Sequence, residues 1–225
     1  MKFSTVATDS YQKSLEQKDS GSSGDRYFRA NQIPNNEEVE FIFLVEDPLE
    51  YWQAFGESIE DGSLKPFRFP LNNDSPEGPT DEEILKAMGG SFRRTKCQFD
   101  NQKQGLKANV TDSPAVHCYV WPIWNIDAGC VQVFEVSQPS LFRGIMKESG
   151  LKKYRKGISL EKDSDFSCTI HKIKEGFTKY TFNIIDRDEN LDTEAVEKEW
   201  KEVKANGFDL DILVLGGDPF NPEGN

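Results

Sequence analysis

Residues 166–180 carry the most distinctive chemistry in this chain. The segment FSCTIHKIKEGFTKY joins a run of strand-forming residues, a Glu-Gly turn and a second run that begins at Phe177. Its cations are Lys172, Lys174 and Lys179, and its rings include Phe177 and Tyr180. Bases stack on aromatic rings, and ammonium groups replace the counterions of phosphates. The pattern predicts a hairpin that suits a polyanion with flat bases, although an amphipathic hairpin with solubilising lysines gives the same pattern.

The distribution of charge also favours an anionic partner for this region. The whole chain is acidic, with 27 Lys and Arg against 39 Asp and Glu and a formal net charge of −12. Residues 91–180 nevertheless hold 15 basic and 9 acidic side chains, whereas the residues on either side are strongly acidic. A basic middle between acidic ends suits a binding face whose flanks repel other polyanions. A solvated surface gives the same distribution by chance.

Further candidate contacts lie outside the hairpin. The densest cationic run surrounds one aromatic ring, and a second basic cluster opens the 91–180 block. Basic loops follow phosphates, while aromatic residues on strands stack on bases. The predicted nucleic-acid-binding residues are Lys152, Lys153, Tyr154, Arg155 and Lys156 in the run, Arg93, Arg94 and Lys96 in the cluster, Tyr119, Trp121 and Trp124 on a strand, and Lys172, Lys174, Phe177, Lys179 and Tyr180 on the hairpin.

The spacing of the two hairpin rings sets a geometric condition. Phe177 and Tyr180 are three residues apart, so strand alternation directs them to opposite faces. Only a β-bulge between them brings both rings to one face. On the preceding strand, Pro122 marks an edge or a bulge. We expect one of the three strand aromatics to reach the groove, rather than all three.

Catalytic and metal chemistry have little support in the sequence. Two histidines, no nucleophile motif and no phosphate-binding glycine loop predict a protein without a catalytic site or cofactor. His117-Cys118 and Cys168-x-x-His171 each offer two ligands, but zinc needs three or four. The acids between Asp186 and Glu197 resemble a calcium loop, although Leu191 stands where the turn needs glycine. We therefore predict no metal site.

Composition indicates a globular chain in a reducing compartment. The 225 residues are 36% hydrophobic and 12% aromatic, enough for one elaborated domain. No apolar run is long enough to cross a bilayer, and the first residues do not form a signal sequence. We expect a cytoplasmic protein without a membrane partner. The four cysteines lie far apart, mostly in strand-like segments, and are expected to be buried and reduced.

The elements follow from hydrophobic patterns and their boundary signals. Thr80 and Glu83 form a capping box, which predicts a helix that ends at Met88 before two glycines. The spacing of Tyr51, Trp52 and Phe55 predicts a short helix. We further predict strands over 39–45, 65–70, 92–99, 116–124 and 130–136, a hairpin over 166–185, helices over 139–147 and 193–205, and a docked strand within 209–220.

The order of these elements predicts a mainly β fold with appended helices, of the α+β type. Residues 1–25 are polar and read as a flexible arm, and residues 26–190 form the binding core with inserted helices. Residues 191–225 form a C-terminal helix and an acidic tail. Short strands with one helix before the last hairpin suit a partly open, five-stranded Greek-key barrel.

Three segments resemble the helix-destabilising single-stranded DNA-binding proteins of tailed phages. VQVFEVSQPSLFRGIMK at 131–147 is similar to that family's passage from an aromatic strand into an amphipathic helix. Gly-Phe-Thr-Lys-Tyr at 176–180 resembles the hairpin whose two rings line the family's DNA cleft. Tyr27-Phe28-Arg29 and the run to Val45 resemble its first strand pair. The resemblance covers roughly residues 27–185 and implies an oligonucleotide-binding (OB) barrel.

The chain departs from the family pattern in several places. It has no Cys-x-x-Cys pair between the first strands and the barrel, so the family's zinc module is not expected. The basic patch is matched only loosely by Phe92-Arg-Arg-Thr-Lys96, and the N-terminal arm is not basic. The acidic tail that recruits replication proteins is reduced to a few acids near Asp218. The departures bear on cooperativity and on partner recruitment more than on the cleft.

The predicted function is non-catalytic binding of single-stranded DNA with little sequence preference. The resemblance implies a role in phage DNA replication, recombination and repair, with replication proteins as further partners. The alternative is an acidic adaptor or virion component whose barrel binds protein. The two interpretations differ over whether the 152–156 run and the Phe177/Tyr180 hairpin line one continuous groove. A nuclease accessory that uses the acids at 186–197 with a metal is a third hypothesis.

Overall fold

The computed structural model describes residues 26–71, 77–99 and 109–223. The arm predicted over residues 1–25 lies outside this part of the chain. The described residues form two compact units, and each is presented by itself. None of their helices is long and apolar enough to cross a bilayer.

The fold is mainly β, as the sequence predicted. The strands are β1 (Tyr27–Phe28), β2 (Glu38–Phe43), β3 (Leu49–Ser58), β4 (Leu64–Pro70), β5 (Phe92–Arg94), β6 (Lys96–Phe99), β7 (Asn109–Asp112), β8 (Val116–Asn125), β9 (Cys130–Val136), β10 (Phe166–Glu175) and β11 (Phe177–Asp186). The α-helices are α1 (Asp81–Met88), α2 (Pro139–Ser149) and α3 (Thr193–Ala205), joined by short 3₁₀ turns.

The first unit comprises the described residues up to Glu46 together with Trp121–Glu135 and Pro139–Trp200. Its strands follow the order β1-β9-β8-β2-β10-β11, in which β1 runs parallel to β9 and β10 is antiparallel to both β2 and β11. Among the described residues, β1 and β11 pair on one side only, so this mixed sheet does not close. The predicted five-stranded barrel is therefore seen only as a β-rich, open sheet.

Aromatic packing forms the core of the first unit. The Phe41 ring centroid lies 5.2 Å from that of Phe43 and 5.3 Å from that of Phe134. Phe43 in turn lies 5.2 Å from Trp121. Phe41, Phe43 and Phe134 are almost completely buried, and each such ring contributes roughly 1.5–3 kcal/mol through the hydrophobic effect. The core thus explains why the run predicted at 39–45 forms β2.

The second unit contains the described parts of Asp47–Val120 and of the chain from Lys201, with Val136–Gln138. β3 is its central strand and pairs with β4, with β5 and with the first half of β8. Among the described strands β4 pairs with β3 alone, and its two prolines suit this edge position. β6 and β7 form a separate antiparallel pair. Cys97 lies in β6, and its side chain is outside the described part.

The capping box predicted for the first helix is present. The Thr80 hydroxyl accepts a hydrogen bond from the Glu83 amide, and Glu83 Oε2 accepts one from the Thr80 amide at 2.7 Å. This contact lowers the pKa of Glu83, chiefly through the backbone amide of Thr80. Ile84 and Met88 then pack against Ala54 of β3. The cap and the apolar face together define α1 over the predicted residues.

Two predicted elements are wrong, each for a local reason. The helix predicted at Tyr51–Phe55 is part of β3, where Tyr51 and Gln53 are buried on one face and Ala54 on the other, so the middle of the strand loses the alternation expected of a half-exposed strand. The strand predicted within 209–220 is instead a 3₁₀ turn at Asp211–Leu213 followed by further turns. Asp209 and Asp218 each accept a hydrogen bond from the backbone amide two residues ahead, which stabilises turns rather than a strand.

Candidate nucleic-acid interface

The β10–β11 hairpin places its side chains on two defined faces. The pairing is continuous from Phe166–Asp186 to Glu175–Phe177, and the turn at Gly176 has a φ of 83°, which glycine adopts without strain. No bulge interrupts the ladder, so Phe177 and Tyr180 lie on opposite faces. We call the face with Phe177 the outer face and the face with Tyr180 the inner face.

Phe177 is the most exposed ring of the hairpin. Its side chain is 69% exposed, and Lys179 Nζ lies 5.0 Å from the ring centroid on the same outer face. Ile173 stands directly opposite Lys179 and adds apolar surface beside them. A ring with an exposed surface and an adjacent ammonium group can stack on a base while the cation meets a phosphate.

Acidic residues limit this basic surface along the hairpin. Glu38 and Glu40 of β2 stand opposite His171 and Thr169 of β10, on the outer face. Glu175 is the one acid of the turn itself, directly opposite Phe177. Near the turn the outer face therefore carries one cation, Lys179, and one acid, Glu175, beside Phe177, and it is acidic farther along.

Tyr180 belongs to the inner face, where the hairpin approaches the core. Its inner-face neighbour Phe182 is buried, 6.4 Å from Phe43, and lies against Gly144 of α2. Tyr180 itself is half-buried, and burial raises its pKa. It lies on the opposite face from Phe177, so one flat surface of the hairpin cannot present both rings.

The three lysines of the hairpin have different environments. Lys172 Nζ donates to the carbonyl oxygens of Asn31 at 2.8 Å and Ile33 at 2.6 Å. It thereby fixes the 3₁₀ turn at Ala30–Gln32 against β10. Lys174 and Lys179 are exposed, with no acid within ion-pair distance among the described residues. Two of the three predicted lysines are therefore available to phosphates.

The 152–156 run combines four exposed cations with one buried ring. Tyr154 is only 4% exposed, its hydroxyl donates to the Ile184 carbonyl at 3.0 Å, and its ring makes an edge contact with Phe166 at 4.8 Å. Tyr154 therefore anchors the loop, and its ring is not accessible to a base. The exposed cations around it are Lys152, Lys153, Arg155 and Lys156.

Lys153 shows where this loop lies on the hairpin. Its Nζ is 4.4 Å from the Tyr154 ring centroid, and its pKa is raised, first by a hydrogen bond with Tyr154 and then by charges that include Asp186. Asp186 is the last residue of β11, whereas Phe177 is the first. Nine residues of extended strand span about 30 Å. The two basic surfaces therefore lie at opposite ends of the hairpin.

The predicted tryptophans are part of the core. Trp121 is 4% exposed, and its Nε1 donates to the Glu46 carbonyl at 3.3 Å. Trp124 is 9% exposed and stands opposite Ile42 in β2. Neither ring has a surface on which a base could stack without rearrangement. We leave both outside the proposed interface.

The predicted basic cluster of the second unit is paired with acids. Arg93 contacts Glu57 at 2.8 Å, which lowers the pKa of Glu57. Arg94 is buried, and its guanidinium donates to Asp81 at 2.7 Å and to the Ser113 carbonyl at 2.6 Å. Lys96 forms an ion pair with Asp112. The charges of these three cations are therefore offset by acids of the same unit, which makes them weaker contacts for phosphate.

Tyr119 belongs to a cluster that the sequence pattern did not reveal. Its Oη lies 3.1 Å from His117 Nδ1, and His117 Nε2 lies 3.1 Å from Glu50 Oε2. The nearby carboxylate makes Tyr119 a poor contact for phosphate. The His-x-Tyr spacing of β8 places both side chains on one face and could have indicated the pair, but Glu50 joins them only through the β3–β8 register.

The cysteines and acids of the described chain offer no metal centre. Cys118 and Cys168 are buried and Cys130 is half-buried. No group of three His, Cys, Asp or Glu side chains comes together within residues 26–71, 77–99 and 109–223.

The comparisons with known proteins do not identify a family. No protein-family profile matches the chain. No curated protein and no solved structure shows significant similarity to it. The function proposed for the chain rests on its residues, their geometry and the resemblance of the three short segments.

Proposed function

We propose that this protein binds single-stranded DNA without catalysis and with little sequence preference, through the tip of the β10–β11 hairpin. The observation that carries the proposal is the exposed Phe177 ring with Lys179 5.0 Å from its centroid. A single exposed apolar side chain is common on protein surfaces, so the ring alone does not indicate a ligand. Here the adjacent cation makes a base with its phosphate the fitting ligand.

The expected contributions follow from the few groups involved. One base stacked on Phe177 contributes roughly 1–3 kcal/mol. Lys174 and Lys179 can each neutralise one phosphate, and each neutralised phosphate on a single strand adds about 0.7 to the salt slope of log K. Duplex DNA keeps its bases paired and stacked, so it lacks the stacking contribution. Single strands are therefore preferred.

The 152–156 run extends the proposed interface at the other end of the hairpin. Its four exposed cations can follow the phosphates of a strand that already contacts the tip. Sites of about 4–16 nucleotides are usual for one OB fold, which is the barrel that we propose for the first unit. Action in phage replication, recombination and repair, and contacts with replication proteins, are proposed from the resemblance alone.

Fluorescence anisotropy of labelled oligonucleotides tests this proposal. The label belongs on the nucleic acid, because Trp121, Trp124 and Trp200 are buried and intrinsic fluorescence would report stacking poorly. We expect oligo-dT to bind more tightly than a duplex of equal length, and more weakly as salt is raised. An oligo-rA titration compares RNA with DNA. No binding of oligo-dT at micromolar protein and low salt would overturn the proposal.

An apolar surface in the second unit favours the adaptor hypothesis as a second candidate. Phe55 and Leu64 are exposed on one face of the β3–β4 pair, and Ile59 follows at the end of β3. Exposed apolar patches often mark protein interfaces. If oligo-dT does not bind, a Leu64→Ser variant in pull-down experiments becomes the next test. Loss of a captured partner by that variant would support the adaptor function.

A further inference from the structure

Three polar side chains form a chain on one face of β3 and β8. The register places Glu50 opposite Tyr119 and Trp52 opposite His117, so all four side chains share a face. Tyr119 Oη lies 3.1 Å from His117 Nδ1. On the other side of the imidazole, Nε2 lies 3.1 Å from Glu50 Oε2, an ion-pair distance without the alignment of a hydrogen bond.

The imidazole is held between two rings. Trp52 stacks on it with centroids 4.8 Å apart and an angle of 19°, and Tyr119 lies on it with centroids 4.4 Å apart. Gly78 in turn packs against Trp52, where a Cβ would lie 2.8 Å from the indole. This packing fixes the plane of His117. The imidazole therefore cannot rotate away from the phenol without breaking the stack.

The protons of the cluster can be assigned from its surroundings. Burial, and then the charge of Glu50, raise the pKa of Tyr119, so its phenol is protonated at neutral pH. The phenol O–H donates to Nδ1 in the tautomer that carries the imidazole proton on Nε2, the nitrogen that faces the carboxylate. A hydroxyl, a base and a carboxylate stand in the order found in catalytic triads, with the carboxylate at ion-pair distance from the imidazole rather than in an aligned hydrogen bond.

We propose that Tyr119 is a nucleophile that His117 activates and that accepts an acyl group from activated carboxylic esters. Tyr119 Oη forms a bond to the ester carbonyl carbon while its proton moves to His117 Nδ1. The tetrahedral intermediate then expels the alcohol or phenol of the ester, which takes up that proton, and O-acyl-Tyr119 remains. Glu50 is a positioning residue whose charge, 3.1 Å from Nε2, stabilises the imidazolium that forms when His117 takes up the phenol proton. The proposal does not depend on nucleic-acid binding.

Tyr180 provides an internal control in the same molecule. It is half-buried like Tyr119, and burial raises its pKa in the same direction. Neither His117 nor His171 is hydrogen-bonded to its hydroxyl in the described part of the chain. General-base assistance typically accelerates a reaction by about 100-fold or more. The two tyrosines have similar exposure and the same intrinsic phenol reactivity. The ratio of their acylation rates therefore measures the contribution of His117.

The experiment treats the full-length chain with p-nitrophenyl acetate at neutral pH and follows both tyrosine peptides by mass spectrometry. We expect Tyr119 to be acetylated about 100-fold faster than Tyr180, and His117→Gln to reduce this ratio to about 1. A ratio below about 10 in the unmodified protein, or an unchanged ratio in His117→Gln, overturns the proposal. Unfolding of His117→Gln would also bring the ratio toward 1, so urea denaturation must show that this variant is folded, and the ratio in the unmodified protein tests the proposal independently.

Two further variants test the position of Glu50. Glu50→Gln removes the charge beside Nε2 and should lower the ratio of the Tyr119 and Tyr180 rates several-fold. Glu50→Asp restores the carboxylate and should restore most of the ratio. A structural role alone would give the two variants the same ratio, which would remove Glu50 from the mechanism.

Discussion

Removal of the two exposed hairpin cations should weaken single-strand binding in a salt-dependent way. Lys174 and Lys179 are exposed and have no acid partner among the described residues, whereas Lys172 is bound to two carbonyls. Each lysine that no longer neutralises a phosphate reduces the salt slope by about 0.7, so Lys174→Gln with Lys179→Gln should reduce it by about 1.4. At 0.1 M salt this corresponds to about 25-fold weaker binding, and the difference should vanish near 1 M.

The measurement is the affinity for labelled oligo-dT at four or more salt concentrations. Lys86→Gln with Lys147→Gln is the matched control, because it removes the same charge from exposed positions on α1 and α2. If net charge alone mattered, the salt slope of log K would fall equally in the hairpin variant and in the control variant. The local contact requires a smaller slope in the hairpin variant only. Equal slopes for all three proteins would refute the assignment of these lysines to phosphates.

Four further outcomes follow from the structure. Phe177→Ala should weaken oligo-dT binding by roughly 1–3 kcal/mol without changing the free energy of unfolding, as titration and urea denaturation would show; unchanged affinity contradicts stacking. Lys172→Met should lower the free energy of unfolding by about 1.5 kcal/mol while the salt slope stays the same. Glu46→Ala removes the acceptor of the Ile158 and Ser159 amides, both at 3.1 Å, and should cost about 2–3 kcal/mol in the same denaturation assay. The Ser63 hydroxyl and amide lower the pKa of Asp61 to about 2. The contribution of this carboxylate to stability is therefore present above about pH 4 and lost toward pH 2. Ser63→Ala should raise the pKa of Asp61 in an NMR titration, and an unchanged value would contradict the assignment.

Local signals in the sequence predicted most elements, because they act over a few residues. The capping box at Thr80, the glycine at 176 and the apolar face of α3 depend on neighbours in the chain, and each is found where it was predicted. Strand β3 was missed because side chains in its middle are buried on both faces, which removes the alternation that marks a strand. Whether a fold is closed depends on which strands pair, and that choice is made between distant segments.

The candidate site was less predictable than the fold, because residue type does not reveal partners. Lys172 and Lys174 are the same residue type on the same face of β10, yet only Lys172 reaches the carbonyls of the 3₁₀ turn. Tyr154 looked like a ring within a cationic loop, and its hydroxyl instead fixes that loop to β11. In both cases the partner comes from a segment that is distant in the sequence. A single sequence does not show which distant segments lie side by side.

The salt slope can also decide whether the two basic surfaces act together. Arg93, Arg94 and Lys96 are paired with acids and Lys172 with carbonyls, so six of the predicted cations remain exposed in the first unit. If a strand contacts only the hairpin tip, Lys174 and Lys179 limit the slope to about −1.4. If it also follows the four cations of the 152–156 run, the slope approaches about −4.

These two values distinguish one groove from two separate basic surfaces. Strand length provides the independent check, because the surfaces lie about 30 Å apart along β11. In the one-groove case the slope should increase in magnitude as oligo-dT is lengthened, and Lys153→Gln with Arg155→Gln should return the long strand toward the slope of the short one. A slope near −1.4 at every length would mean that the 152–156 run does not contact DNA, and that the hairpin tip alone accounts for binding.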